Sequence, residues 1–225
     1  MTSNLPVFAA YTASFSVLLP LLLLIKKKEN LKDEVLSVLA AFLSLSALTD
    51  LACYLVNKFL HQPTVILSNI EFVLECVLLS IVYARLFDRH HKIVYSALAF
   101  FVTFFLINSL CWQDINTYQS MTRILGGLIF VAFSVLYYFQ LMRDLPANNL
   151  LHYGPYWLVL GVFSSFMLNV YFYTLSTYVL TELDKENRLL FWMLHSFNEI
   201  ARNTLFAIAV FQGNKRFDSA TFSRS

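Results

Sequence analysis

The sequence predicts an all-α integral membrane protein, a bundle of seven transmembrane helices. Of its 225 residues, 58% are hydrophobic and only 13% are charged, whereas soluble domains carry about a quarter charged residues. A bilayer core of about 30 Å needs about 20 apolar residues of helix, and runs of that length recur seven times between short polar breaks. The same composition excludes a disordered chain, a coiled coil and a collagen-like rod. Cys53, Cys76 and Cys111 are scattered through apolar sequence, so they form neither a disulfide framework nor a metal motif.

The expected spans are residues 5–25, 35–56, 64–86, 93–112, 120–142, 156–181 and 189–211. The first could pass for a secretory signal, but no basic residue precedes it and Lys26-Lys27-Lys28 follows it. That order is the reverse of a signal peptide, so the segment reads as a retained helix. The third span runs out into Asp88-Arg89-His90-His91-Lys92, and the fifth into Leu145-Pro146-Ala147-Asn148-Asn149. Trp112, Tyr118, Tyr153, Tyr156 and Trp157 fall near span ends, where amphipathic rings favour the interface. Residues 1–211 therefore form one transmembrane domain, and 212–225 read as a polar cytoplasmic tail.

Lysine and arginine set the expected orientation. With the amino terminus outside, the cytoplasmic loops carry Lys26, Lys27, Lys28, Lys32, Arg85, Arg89, Lys92, Arg143, Lys215, Arg216 and Arg224. The external side then carries only Lys58, Arg123, Lys185 and Arg188, and Arg202 lies within the last span. The net charge of +2 includes no basic face outside short loops, which argues against a nucleic-acid partner.

Ionisable groups at membrane depth cost about 2.5–3.5 kcal/mol each on insertion scales, and they usually face the bundle interior. Six are expected here: Asp50, Glu71, Glu75, His195, Glu199 and Arg202, with Asn198 beside them. They fall on helical stripes. Thr64, Ser68, Glu71 and Glu75 share one face of the third span, and Ser46, Asp50, Cys53 and Asn57 one face of the second. Arg188, Trp192, His195, Glu199 and Arg202 share one face of the seventh. At 1.5 Å per residue, Asp50, Glu71 and His195 form a layer about 10 Å below the outer boundary, and Glu75, Glu199 and Arg202 one at about 15–20 Å.

Four carboxylates against one arginine leave three uncompensated negative charges, which a low-dielectric interior does not tolerate. Acids must hold protons, His195 must be cationic, or a metal or cationic ligand must sit among them. Asn108, Asn169 and Asn203, taken singly, read as interhelical glue.

Three functions follow from such a cluster. The leading expectation is a sensor or receptor that binds a small ligand, cation or proton in this pocket, with a cytoplasmic partner reading the change. Asp50, Glu71 and His195 would face the ligand, and Glu75, Asn198, Glu199 and Arg202 would respond. A second possibility is a metal-dependent intramembrane hydrolase, with Glu71, Glu75, His195 and Glu199 holding a divalent ion; only one nitrogen ligand is offered. A third is a small proton-coupled transporter, although Pro20 is the only proline well inside a span and broken helices are common in transporters.

Two familiar seven-helix families do not fit. The last span holds no lysine, which excludes a retinal Schiff base there. Tyr83-Ala84-Arg85-Leu86 does not match the acidic-Arg-aromatic triplet of G-protein-coupled receptors, and the last span lacks their Asn-Pro signature. His195-Ser196-Phe197-Asn198-Glu199-Ile200, Arg202-Asn203-Thr204-Leu205-Phe206 and Asn69-Ile70-Glu71-Phe72 resemble two helices of small bacterial seven-helix membrane proteins with no assigned activity. That resemblance implies a bacterial inner membrane and a signalling context.

Overall fold

The computed structural model describes residues 5–87, 91–144 and 150–213. The 88–90 part of one expected loop, the whole 145–149 loop and all but the first two residues of the expected tail (212–225) lie outside them. The described chain is all-helical: α1 (Leu5–Ser16), α2 (Leu18–Lys26), α3 (Glu34–Leu55), α4 (Val65–Leu86), α5 (His91–Ile107), α6 (Ser120–Asp144), α7 (Gly154–Thr181) and α8 (Lys185–Gln212). Among the described residues, six stretches are long and apolar enough to cross a membrane: Phe8–Lys26, Glu34–Leu60, Val65–Leu86, His91–Trp112, Ser120–Asp144 and Gly154–Ser176. The 28-residue α8 has the length, but Glu199, Arg202 and the charges of its first turn dilute its hydropathy.

The first expected span is two helices. Pro20 lacks an N–H to give Ser16, and its ring crowds that carbonyl, so the helix is interrupted at Val17. Two other spans end in wide turns, Val56–Leu60 after α3 and Asn108–Trp112 after α5, each with π-type hydrogen bonding. His61 then takes the left-handed conformation at φ 50° and stops the chain before α4.

Side-chain caps fix other ends. Asp33 Oδ1 accepts the backbone N–H groups of Val35 and Leu36 at 2.9 and 3.0 Å, satisfying two free donors at the start of α3. At the far end of α8, Lys27 Nζ donates to the Phe211 carbonyl and Asn30 Nδ2 to that of Val210, each at 3.0 Å. A cation and an amide thus cover carbonyls that the helix leaves without partners.

Packing closes the helices into a ring. α2 rests on α3 and α8, α3 on α4, α6 on α7, and α7 on α8, while α1 lies along α8. α5 bridges α4 and α6 from outside, and of its residues only Val94 and Phe101 are buried. Small residues permit the closest approaches. A Cβ on Gly161 would stand 2.9 Å from the Phe206 ring, and one on Gly127 would stand 2.5 Å from Val170 Cγ2.

The ring is filled unequally. In the half where α3 begins and α4 ends, apolar side chains form a solid plug. Phe42 meets Phe206 edge-on at 5.9 Å, Phe130 meets Phe166 at 5.1 Å, and Tyr83 packs among Phe87, Phe130 and Phe133. The Tyr83 hydroxyl is not orphaned there. Ser134 donates to the Phe130 carbonyl at 2.7 Å, which leaves its Oγ to accept from Tyr83 at 2.6 Å. The opposite half, where α4, α6 and α8 begin, is hollow.

Candidate functional site

The hollow is a cavity of about 300 Å³ walled by α1, α3, α4, α6, α7 and α8. Asp50, Glu71, Glu75, His195, Glu199 and Arg202 all line it. Asn198 does not; it is buried behind the wall, between α7 and α8. Of the stripe members, Ser46 and Ser68 also reach the cavity, whereas Thr64, Cys53, Asn57, Arg188 and Trp192 lie off its wall. The two expected layers form one continuous space.

A second arginine belongs to the site. Arg123 was expected among the external charges, yet it lies in the first turn of α6, only 7% exposed, and lines the cavity. Its Nη2 donates to both the carbonyl and the hydroxyl of Ser68 at 2.8 Å. Three rings surround the guanidinium: Tyr118 at 4.8 Å, Phe72 at 4.9 Å and Tyr173 at 5.7 Å. Burial pushes the Tyr118 phenol up to about 12, so that ring offers its face and no charge. Cation–π contact and donation to a carbonyl replace the water a buried guanidinium loses.

The segment before α6 holds this arrangement in place. Asn69 Nδ2 donates to the Ile115 and Thr117 carbonyls at 2.9 and 2.8 Å, pinning residues 113–119 down onto α4. Asn108, Gln113, Gln119 and Thr122 bond one another beside it. For Asn108 the glue expectation matches what it touches. Asn203 likewise donates to Ser16 Oγ at 2.8 Å, tying α8 to the interrupted first span.

Arg202 is held differently. It forms an ion pair with Glu199 one turn earlier on α8, lies 5.5 Å over the Phe42 ring, and is only 5% exposed. It therefore sits where the cavity floor meets the plug. The Nε atoms of Arg123 and Arg202 are both buried without a hydrogen-bond partner.

The hydrogen bonds around His195 fix its tautomer. Asn198 Nδ2 donates to the Ser165 carbonyl at 3.2 Å, an atom that only accepts, so the amide cannot be flipped. Its other proton goes to Asn169 Oδ1 at 3.0 Å, which makes that atom an acceptor. His195 Nδ1 lies 3.1 Å from the same Oδ1 and must carry the proton. The neutral ring is left with its Nε2 lone pair free. Asn169 lines the cavity and orients the imidazole, and Asn198 orients Asn169.

Charge remains unbalanced. Asp50, Glu71, Glu75 and Glu199 face Arg123 and Arg202, an excess of two negative charges if every acid is ionised and His195 is neutral, which protons on the acids or a bound cation would relieve. Glu199 is paired, and the Ser14 hydroxyl stands beside Asp50. Among the described residues, no hydrogen bond or ion pair satisfies Glu71 or Glu75, one turn apart on α4. No group of three or more His, Cys, Asp or Glu side chains among the described residues is close enough to hold an ion.

Sequence reasoning missed Arg123, Asn169, Phe72 and Tyr173. Arg123 falls three residues inside an expected span, which was its only signal. The rings belong to apolar faces that look like any other. No family model, curated protein or solved structure matches the chain.

Proposed function

We propose that the chain is a receptor-like sensor with seven spans, α8 being the seventh, its amino terminus outside and its tail in the cytoplasm of a bacterial inner membrane. A small ligand or proton enters the cavity, alters helix packing, and a separate cytoplasmic partner reads the change. One observation carries this reading: a polar, acid-rich cavity fills one half of the ring, and an aromatic plug fills the other. With the plug across the half where α3 begins, the cavity does not run through the ring, which suits binding better than passage. No group of three or more His, Cys, Asp or Glu side chains among the described residues is placed to hold an ion, which favours it over metal-dependent hydrolysis.

Trp192 provides the test, because its ring meets His195 edge-on at 5.8 Å. In a Trp112→Phe, Trp157→Phe background, its fluorescence should change on acidification or ligand addition in lipid nanodiscs, with no solute or proton flux in proteoliposomes. A saturable flux would replace the sensor by a transporter. An unresponsive Trp192 over pH 5–8 and with ligand would remove both.

A further inference from the structure

We infer that the cavity takes a primary alkylammonium group, seated by Glu71 and Glu75; this deepens the binding role proposed above and rests on it. With every acid ionised the cavity holds two more negative charges than positive ones, an excess a bound cation would relieve in place of protons, and the two carboxylates without partners are where it would be concentrated. The cavity of about 300 Å³ has room for about ten waters at liquid density. A bare ion would leave most of it unfilled, and no metal-holding group of three or more His, Cys, Asp or Glu occurs among the described residues. An organic cation meets both conditions.

The kind of ammonium follows from what the aromatic rings are already doing. Quaternary ammonium ions are recognised by open ring faces. Of the three Phe and Tyr rings that line the cavity, Phe72 and Tyr173 are engaged by Arg123 at 4.9 and 5.7 Å, and Phe166 packs on Phe130 at 5.1 Å. What the pocket has spare is acceptors: two carboxylates and the lone pair on His195 Nε2. Only an ammonium with N–H groups can use them. The buried Nε donors of Arg123 and Arg202 would accommodate an oxygen on the same ligand.

The wall nearest α1 bears on the source of the amine. Ala10 and Ser14 line the cavity and are also exposed. α1 leans on α8 rather than on α3 or α4, so the ring is thinnest on that side, at membrane depth. The ammonium group therefore belongs either to a membrane amphiphile whose tail stays in lipid beside α1, or to a free short-chain amine.

Binding of propylamine, dodecylamine and dodecyltrimethylammonium to the full chain in phosphatidylcholine nanodiscs separates these cases, read by Trp192 fluorescence and the thermal midpoint. The primary amines should saturate and raise the midpoint, with dodecyltrimethylammonium at least tenfold weaker than dodecylamine. Glu71→Gln and Glu75→Gln should each weaken binding tenfold or more while Thr204→Ala, on the exposed face of α8, weakens it little. Should Glu75→Gln fail to fold, Glu71→Gln and Asp50→Asn carry the comparison. Dodecylamine binding tenfold tighter than propylamine, after correction for partition into lipid, assigns the membrane source; equal affinity assigns the free amine. Equal binding of the trimethylated compound, or no saturable binding of any amine, overturns the inference. Amine binding with accompanying flux would sink the sensor and spare the amine, whereas a proton-driven Trp192 change without amine binding would do the reverse.

Discussion

Removing the Arg202 guanidinium tests the electrostatic account of the cavity floor most directly. Arg202→Met keeps the length of the side chain and its packing over Phe42 but leaves Glu199 without its ion-pair partner. Removing one partner of a buried pair costs about 3–5 kcal/mol. The Glu199 side chain is 21% exposed, so part of its unpaired charge is relieved and the loss in Arg202→Met should fall at the lower end of that range, about 3 kcal/mol. Parent and variant unfolded by denaturing detergent, followed by circular dichroism, give this difference. A variant as stable as its parent would show that Glu199 does not depend on Arg202.

Three further outcomes are expected. Gly161→Ala should destabilise by about 1–3 kcal/mol, because overpacking against the immobile Phe206 ring outweighs the gain in helix propensity; thermal unfolding reads this, and a stabilised variant would contradict the packing. Asn198→Ala should release Asn169, so nitrogen NMR of labelled histidine would move His195 from the pure Nδ1–H tautomer of the parent to a mixture. Asn69→Ala removes two bonds to the 113–119 segment and should cost about 1–3 kcal/mol, with amide exchange in that segment accelerated well beyond that of α7.

Six of the expected spans were legible because each is a long apolar run between polar breaks; α6 and α7 begin within two residues of expectation and α4 ends where expected. The interruption at Val17 was written in Pro20, but the expected span ran through it. The wide turns closing α3 and α5 leave no mark in an apolar pattern, since one extra residue per turn does not alter composition. Acid stripes on two faces and a His-Glu-Arg stripe on a third marked which helices face inward. Arg123 escaped for a different reason. Its burial depends on the 113–119 segment folding back onto Asn69, a contact between residues 46 and 48 positions apart that no local pattern encodes. Asn169 looked like glue because one amide in an apolar helix is ambiguous; only its neighbours reveal that it sets an imidazole.

The aromatic plug also decides how the protein meets an electric field. With the polar hollow on one side, a membrane potential drops mainly across the solid half. Glu75 lies ten residues into α4, about 15 Å along its axis, roughly midway through the span. A cation reaching that depth through the hollow would therefore cross only a small part of the voltage, well below the ~2.3 kcal/mol that a full crossing is worth at 100 mV. Occupancy of the hollow would then follow concentration far more than the energised state of the membrane.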